Sequence, residues 1–116
     1  MTEPKTPAQL ADDAAEAVRA INHATQSQRP GWEFPGDAYS VVGALARMAA
    51  GLPQALDQIG YLPESMAGNL RSDKGTLDAD LEDTYGALAD AHDAAQTLYE
   101  ALNRAHSALS PIAYQD

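Results

Sequence analysis

Tyr85, His92, Tyr99 and His106 recur at intervals of seven residues. On an α-helix that interval returns a side chain to nearly the same face after two turns. Imidazole titrates near pH 6.5 and a phenol both donates and accepts. Such a row can therefore serve as a proton-responsive strip or as a polar-aromatic seat for another helix. It also has a plainer use, in which amphipathic rings edge a core with their bodies buried and their polar tips wet. The second grouping is Trp32 and Phe34, the only Trp and the only Phe, within Arg29-Pro30-Gly31-Trp32-Glu33-Phe34-Pro35-Gly36-Asp37. Pro and Gly on both sides keep this stretch out of a helix. Large aromatics stay in a loop when that loop packs onto something. Trp32 is expected to plug the end of the fold against a long helix, the alternative being an anchor for a partner.

Other constellations are poor in chemistry. A di-iron helix bundle uses Glu-x-x-His pairs, since residues three apart converge on one ion; the positions three before each His are Ala20, Ala89 and Asn103. The run from Asp78 to Asp83 opens like a calcium loop, but it has no Gly at the sixth position and has Ala89 at the twelfth. Ser40, Ser65, Ser72, Ser107 and Ser110 occupy no Gly-x-Ser-x-Gly elbow, and no Gly-x-x-x-x-Gly-Lys loop exists to hold phosphate. Glu33 and Asp37 could pair as acid and base, but Asp37 is better explained as a helix cap. No catalytic residue, cofactor or metal is expected, and the chain reads as a non-enzyme.

The elements that must position these residues are helices. Thr6-Pro7-Ala8-Gln9 combines an N-cap, Pro at the first helical position and the Gln of a capping box. Leu10, Ala14, Ala17, Val18, Ile21 and Ala24 then mark one face of a helix over about 7–27. A second helix is predicted over 37–51, capped by Asp37, with Ala38, Val41, Val42, Leu45, Met48, Ala49 and Leu52 as its buried stripe. Gly51-Leu52-Pro53 should break it, because Pro53 lacks an amide hydrogen and clashes with the preceding turn. A further helix over 53–62 and a short piece over about 63–70, after Pro63, complete the middle. Ser72-Asp73-Lys74-Gly75-Thr76 is a polar linker, and Thr76 caps a long helix over about 77–109. Leu81, Leu88, Ala95, Leu102 and Leu109 repeat there every seven residues, with Leu77, Thr84, Ala91, Leu98 and Ala105 as the companion row of an a/d seam. The expected fold is all-α: an up-down bundle of three main helices, the middle one broken at Gly51-Pro53 and Pro63. Residues 1–5 read as a flexible tail, 6–110 as one bundle domain and 111–116 as a C-terminal tail.

Composition narrows the partners. Across 116 residues, 17 acids stand against 7 Lys and Arg, for a net charge of −10. Nucleic acid and anionic membranes demand the opposite sign, so neither is expected. Apolar content reaches 45%, but aromatics only 6%, and alanine fills much of the difference. An Ala-rich core buries little area per residue, which favours association with a second copy or a partner. The absence of Cys, of a basic-then-apolar leader pattern and of any apolar run long enough for a span points to a cytoplasmic protein.

Two resemblances accompany this reading. In length, acidity and helicity the chain is similar to the small helical proteins of type VII secretion. Their turn carries Trp-x-Gly where this one reads Trp32-Glu33-Phe34, and their Tyr-x-x-x-Asp/Glu tail finds Ala89 and Asn103 four residues after Tyr85 and Tyr99. The run from Phe34 to Leu45, with Gly51-Leu52-Pro53-Gln54-Ala55-Leu56 after it, resembles uncharacterised short acidic helical proteins of actinomycetes, which implies no activity.

The resulting expectation is a non-enzymatic protein–protein interaction or accessory protein that self-associates or binds a partner. Trp32, Phe34, Tyr85, His92, Tyr99 and His106 are its partner-binding residues, aromatics being the commonest interface anchors. Two other readings stand beside it: an acidic antitoxin or immunity-type inhibitor of a basic partner, and a type VII-like secreted substrate.

Overall fold

The computed structural model describes residues 3–26 and 31–115. Four helices follow in order: α1 (Pro7–Ala24), α2 (Gly36–Gly60), α3 (Glu64–Ala67) and α4 (Leu77–Leu109). The all-α class and the long C-terminal helix are as expected. Arg29 and Pro30, which open the expected aromatic loop, lie outside the described residues.

α1 is started by the capping box read from the sequence. The Thr6 hydroxyl accepts the Gln9 amide at 3.1 Å and the Gln9 side chain accepts the Thr6 amide at 2.9 Å. Thr25 closes the last turn by donating its hydroxyl to the Ile21 carbonyl at 2.9 Å.

α2 departs from expectation twice. Asp37 is not its cap. Pro35 already has helical dihedrals (φ −94°, ψ −11°) and its carbonyl accepts the Tyr39 amide at 3.0 Å, so the helix begins before Asp37. The Asp37 carboxylate instead reaches back to accept the Glu33 amide at 2.6 Å, tying the aromatic loop to the first turn. Nor does α2 break at Gly51-Pro53, since one helix runs through Pro53 to Gly60. Pro53 leaves the carbonyl four residues earlier without its amide, a cost of about 3 kcal/mol in an isolated helix. Contacts with α4 on both sides of Pro53 offset that cost and let the helix continue through it. Before it, Gly43 lies against His106; after it, Asp57 faces His92 and Gly60 meets Leu88. The break comes where Tyr61 turns extended (φ −76°, ψ 125°), ahead of Pro63, and α3 adds a single turn.

These same pairs set α2 and α4 antiparallel. They are the only helices in contact with one another among the described residues. The core between them is thin: Ala46, Ala49 and Ala95 are its buried apolar residues, with Ala49 wholly enclosed. α1 touches neither helix, so the third rod of the expected bundle stands apart. Its apolar stripe lies open, with Leu10 55% and Val18 41% exposed. The radius of gyration is 19.4 Å, against about 13 Å for a compact chain of this length.

Ahead of α4 the Ser72–Thr76 turn is built on Asp80. Its carboxylate accepts from the Ser72 hydroxyl, from Lys74 Nζ at 3.2 Å and from the Thr76 hydroxyl at 3.2 Å. Thr76 holds the N-cap position without capping through its side chain. Its hydroxyl is spent on Asp80 instead, and Gly75 supplies the positive φ (74°) that the turn requires.

Candidate interaction surface

The strip of Tyr85, His92, Tyr99 and His106 faces α2. His106 stacks on Tyr39 with ring centroids 4.0 Å apart and planes 21° from parallel. A Cβ at Gly43 would lie 2.8 Å from His106 Nε2, so the glycine makes room for the imidazole. His92 Nε2 lies 3.6 Å from Asp57 across the pair, and its Nδ1 lies 3.2 Å from Asp93. Tyr99 and both histidines are half-buried, whereas Tyr85, near Leu56, Asp57 and Gly60, keeps an exposed ring. The true seam of α4 is therefore Leu88, Ala95, Leu102 and Leu109 alternating with His92, Tyr99 and His106. The expected companion row is more open: Thr84, Leu98 and Ala105 are exposed, with Leu98 44% open, while Leu77 and Ala91 are half-buried. Both rows flank the leucines at helical spacing, and sequence periodicity alone does not choose between them. The small and slotted partners on α2, namely Gly43, Ala46, Ala49 and Gly60, accept rings and leucines from one side.

Trp32 is half-buried and Phe34 exposed. Phe34 adjoins Pro35, which with Gly36, Tyr39, Leu109, Ile112 and Tyr114 lines an apolar cleft of about 380 Å³ at the end of the α2–α4 pair. From there to Tyr85 the strip extends over twenty-odd residues of α4, about 30 Å. Phe34, next to the cleft, and His106, Tyr99, His92 and Tyr85 thus run along the pair rather than forming one patch. Ile112 and Tyr114, read as tail, join the cleft; their signal in the sequence was an apolar pair just beyond Pro111.

A second surface was hidden inside the expected stripe of α2. That stripe contains two adjacent heptad rows. Val42, Ala46, Ala49, Pro53, Leu56 and Gly60 turn toward α4. Val41, Leu45, Met48, Leu52 and Ile59, each one residue earlier, flank that row, with Met48 and Ile59 exposed and the other three half-buried. One residue is about 100° around the helix, and in an antiparallel pair the positions just before each seam residue fall on the same side of both helices. On α4 those positions are Ala87, Ala91, Ala94, Leu98, Ala101 and Ala105. One side of the pair is therefore a continuous apolar face, with Met48 40% and Ile59 68% exposed. The opposite side carries Arg47, Gln54 and Asp57 on α2 with Asp93, Gln96, Glu100 and Asn103 on α4.

The chemistry of the pair is that of surfaces. Among the described residues no group of three His, Asp or Glu side chains is placed to hold a metal ion, and no helix is long and apolar enough to cross a membrane. Hydrogen bonds from Ser72 and Lys74, joined by Thr76, hold the Asp80 carboxyl below the usual carboxylate range against the opposing effect of desolvation. Compared with protein-family models, curated proteins and solved structures, the chain matches none.

Proposed function

We propose that this chain is a non-enzymatic interaction or accessory protein of the cytoplasm, whose surfaces are completed by another protein chain. The observation that carries the proposal is α1, a well-capped amphipathic helix that packs against no other helix among the described residues and buries none of its own residues. Helices in proteins draw most of their stability from packing an apolar side rather than from propensity, and the 18 residues of α1 have no helix to pack on among those described. The accessible surface supports the same reading. It is 9207 Å², whereas a compact chain of 12.3 kDa exposes about 6,100 Å². Phe34 and Tyr85 are the expected anchors whose rings remain open to a partner.

The acidic-inhibitor reading draws on a different feature. Asp78, Glu82, Asp83, Asp90 and Glu100 are exposed along α4 and would suit a basic partner. Salt separates the two readings, because screening weakens an acidic-to-basic contact and spares an apolar one. The test of the leading reading is hydrogen exchange on the isolated chain at monomeric dilution. Rapid exchange over α1 beside slow exchange over α2 and α4 is expected. A monomer whose α1 amides and apolar side are fully protected would remove the support.

A further inference from the structure

Two apolar surfaces of this chain are left open, and one is long enough to seat the other. On α1 the stripe runs from Leu10 to Ala24; on the α2–α4 face the outward row runs from Val41 to Ile59, with Met48 and Ile59 its most exposed members. The stripe extends about 21 Å along its helix and the row about 27 Å. The two helices contribute side chains of unequal size to this face. Larger side chains of α2 (Val41, Leu45, Met48, Leu52 and Ile59) form one wall, and the α4 wall is low, alanines around Leu98. A helix laid along the low wall could seat Val18 and Ile21 between the two. Yet α1 lies clear of this face in its own chain.

We propose that the face receives α1 of a second copy, and that the exchange is reciprocal. Each chain then donates one helix and accepts one, forming a closed two-fold dimer of two three-helix units. The proposal deepens the interaction reading above and rests on it. Area argues for this occupant. The surface beyond that of a compact chain is roughly 3,000 Å² per copy. Covering half of that on each copy buries about 3,000 Å² in all, within the range of obligate homodimers. Reciprocal exchange uses both open surfaces at once, whereas a face-to-face pairing of two α2–α4 units would leave α1 bare. The acidic charge of −10 on each copy opposes the approach, so screening by salt should tighten the dimer, the reverse of what a basic partner would show.

The chain contains no cysteine, which permits a direct test. Full-length V18C and L98C variants are mixed, treated with a short bis-maleimide and resolved by mass, with E100C on the polar side as the control for L98C. The expected product is a V18C–L98C heterodimer at twice 12.3 kDa, at least tenfold over the E100C control. Light scattering should give the same mass for the untreated wild type, with the dimer strengthened by salt. The double substitution V18D/I21D lies outside the α2–α4 core and should raise the dimer dissociation constant on the order of 100-fold while that pair stays folded. Cross-linking of L98C to itself would overturn the proposal in favour of face-to-face pairing. So would a chain that stays monomeric, with α1 freely exchanging, up to the highest concentration reached, which leaves the interaction reading intact with a different partner. An internal link within a V18C/L98C monomer would overturn both, since α1 would then belong to its own bundle.

Discussion

α1 and the α2–α4 pair are made of the same material, alanine-rich amphipathic helix, and they are stabilised in opposite ways. α1 has strong local signals, a complete capping box and Pro at its first position, and among the described residues no contact with another helix. α2 has weak ones: Pro53 in its interior, no side-chain cap and a glycine at each end. It nevertheless runs for 25 residues because α4 is matched to it along its length. Local signals thus decide whether a helix starts, and complementary surfaces decide whether it persists and where it lies.

The comparison can be broken by substitutions that touch only one side of it. The largest effect should come from Ala49→Leu. Ala49 is wholly enclosed between α2 and α4, and forcing three more carbons into such a site costs about 1–3 kcal/mol. Thermal melting followed by circular dichroism at monomeric dilution should show the α2–α4 transition falling while α1 exchange is unchanged. Gly43→Ala should cost slightly less, about 1–2 kcal/mol by the same overpacking argument, because its Cβ would meet His106 Nε2 at 2.8 Å. Adding His106→Ala to it should recover part of that loss, as a double-mutant cycle would register. If Gly43→Ala is neutral, the close register of the pair is wrong.

On the other side, Thr6→Ala removes a cap worth about 1 kcal/mol. It should speed exchange in the first turns of α1 and leave the α2–α4 melting midpoint of the monomer unmoved. A shift of that midpoint would mean that α1 does support the pair. The smallest effect concerns the Ser72–Thr76 turn. Asp80 has its pKa lowered on folding by Ser72, Lys74 and Thr76. The stability it adds is therefore present above the ordinary carboxylate pKa and is lost as pH falls through the lowered one. Asp80→Asn should loosen exchange in that turn at neutral pH and flatten the acid dependence there, with little change elsewhere in α4.

The contrast also explains what could be read from the sequence. The start of α1, the bounds of α4 and the interruption at Pro63 were legible because capping residues, heptads and an extended pre-proline segment act locally. Pro53 was misread because the same local rule predicts a break that contacts with His92, Leu88 and His106 override. Asp37 was misread because helical dihedrals at Pro35 move the start of α2 upstream. On α4 two rows flank the leucines symmetrically, so only the glycines and alanines of the facing helix reveal that the His/Tyr row is the inner one. The apolar face of Val41, Leu45, Met48, Leu52 and Ile59 was merged with the seam for the same reason. A single stripe of seven positions conceals two rows about 100° apart.

The central claim is that α1 is held by a second chain rather than by its own. Hydrogen exchange of the wild-type protein across a concentration series that spans its association tests this most directly. α2 and α4 amides should be protected throughout, while α1 amides pass from fast to slow as the measured mass doubles. Slow α1 exchange in the monomer, or fast α1 exchange in a dimer, would contradict it.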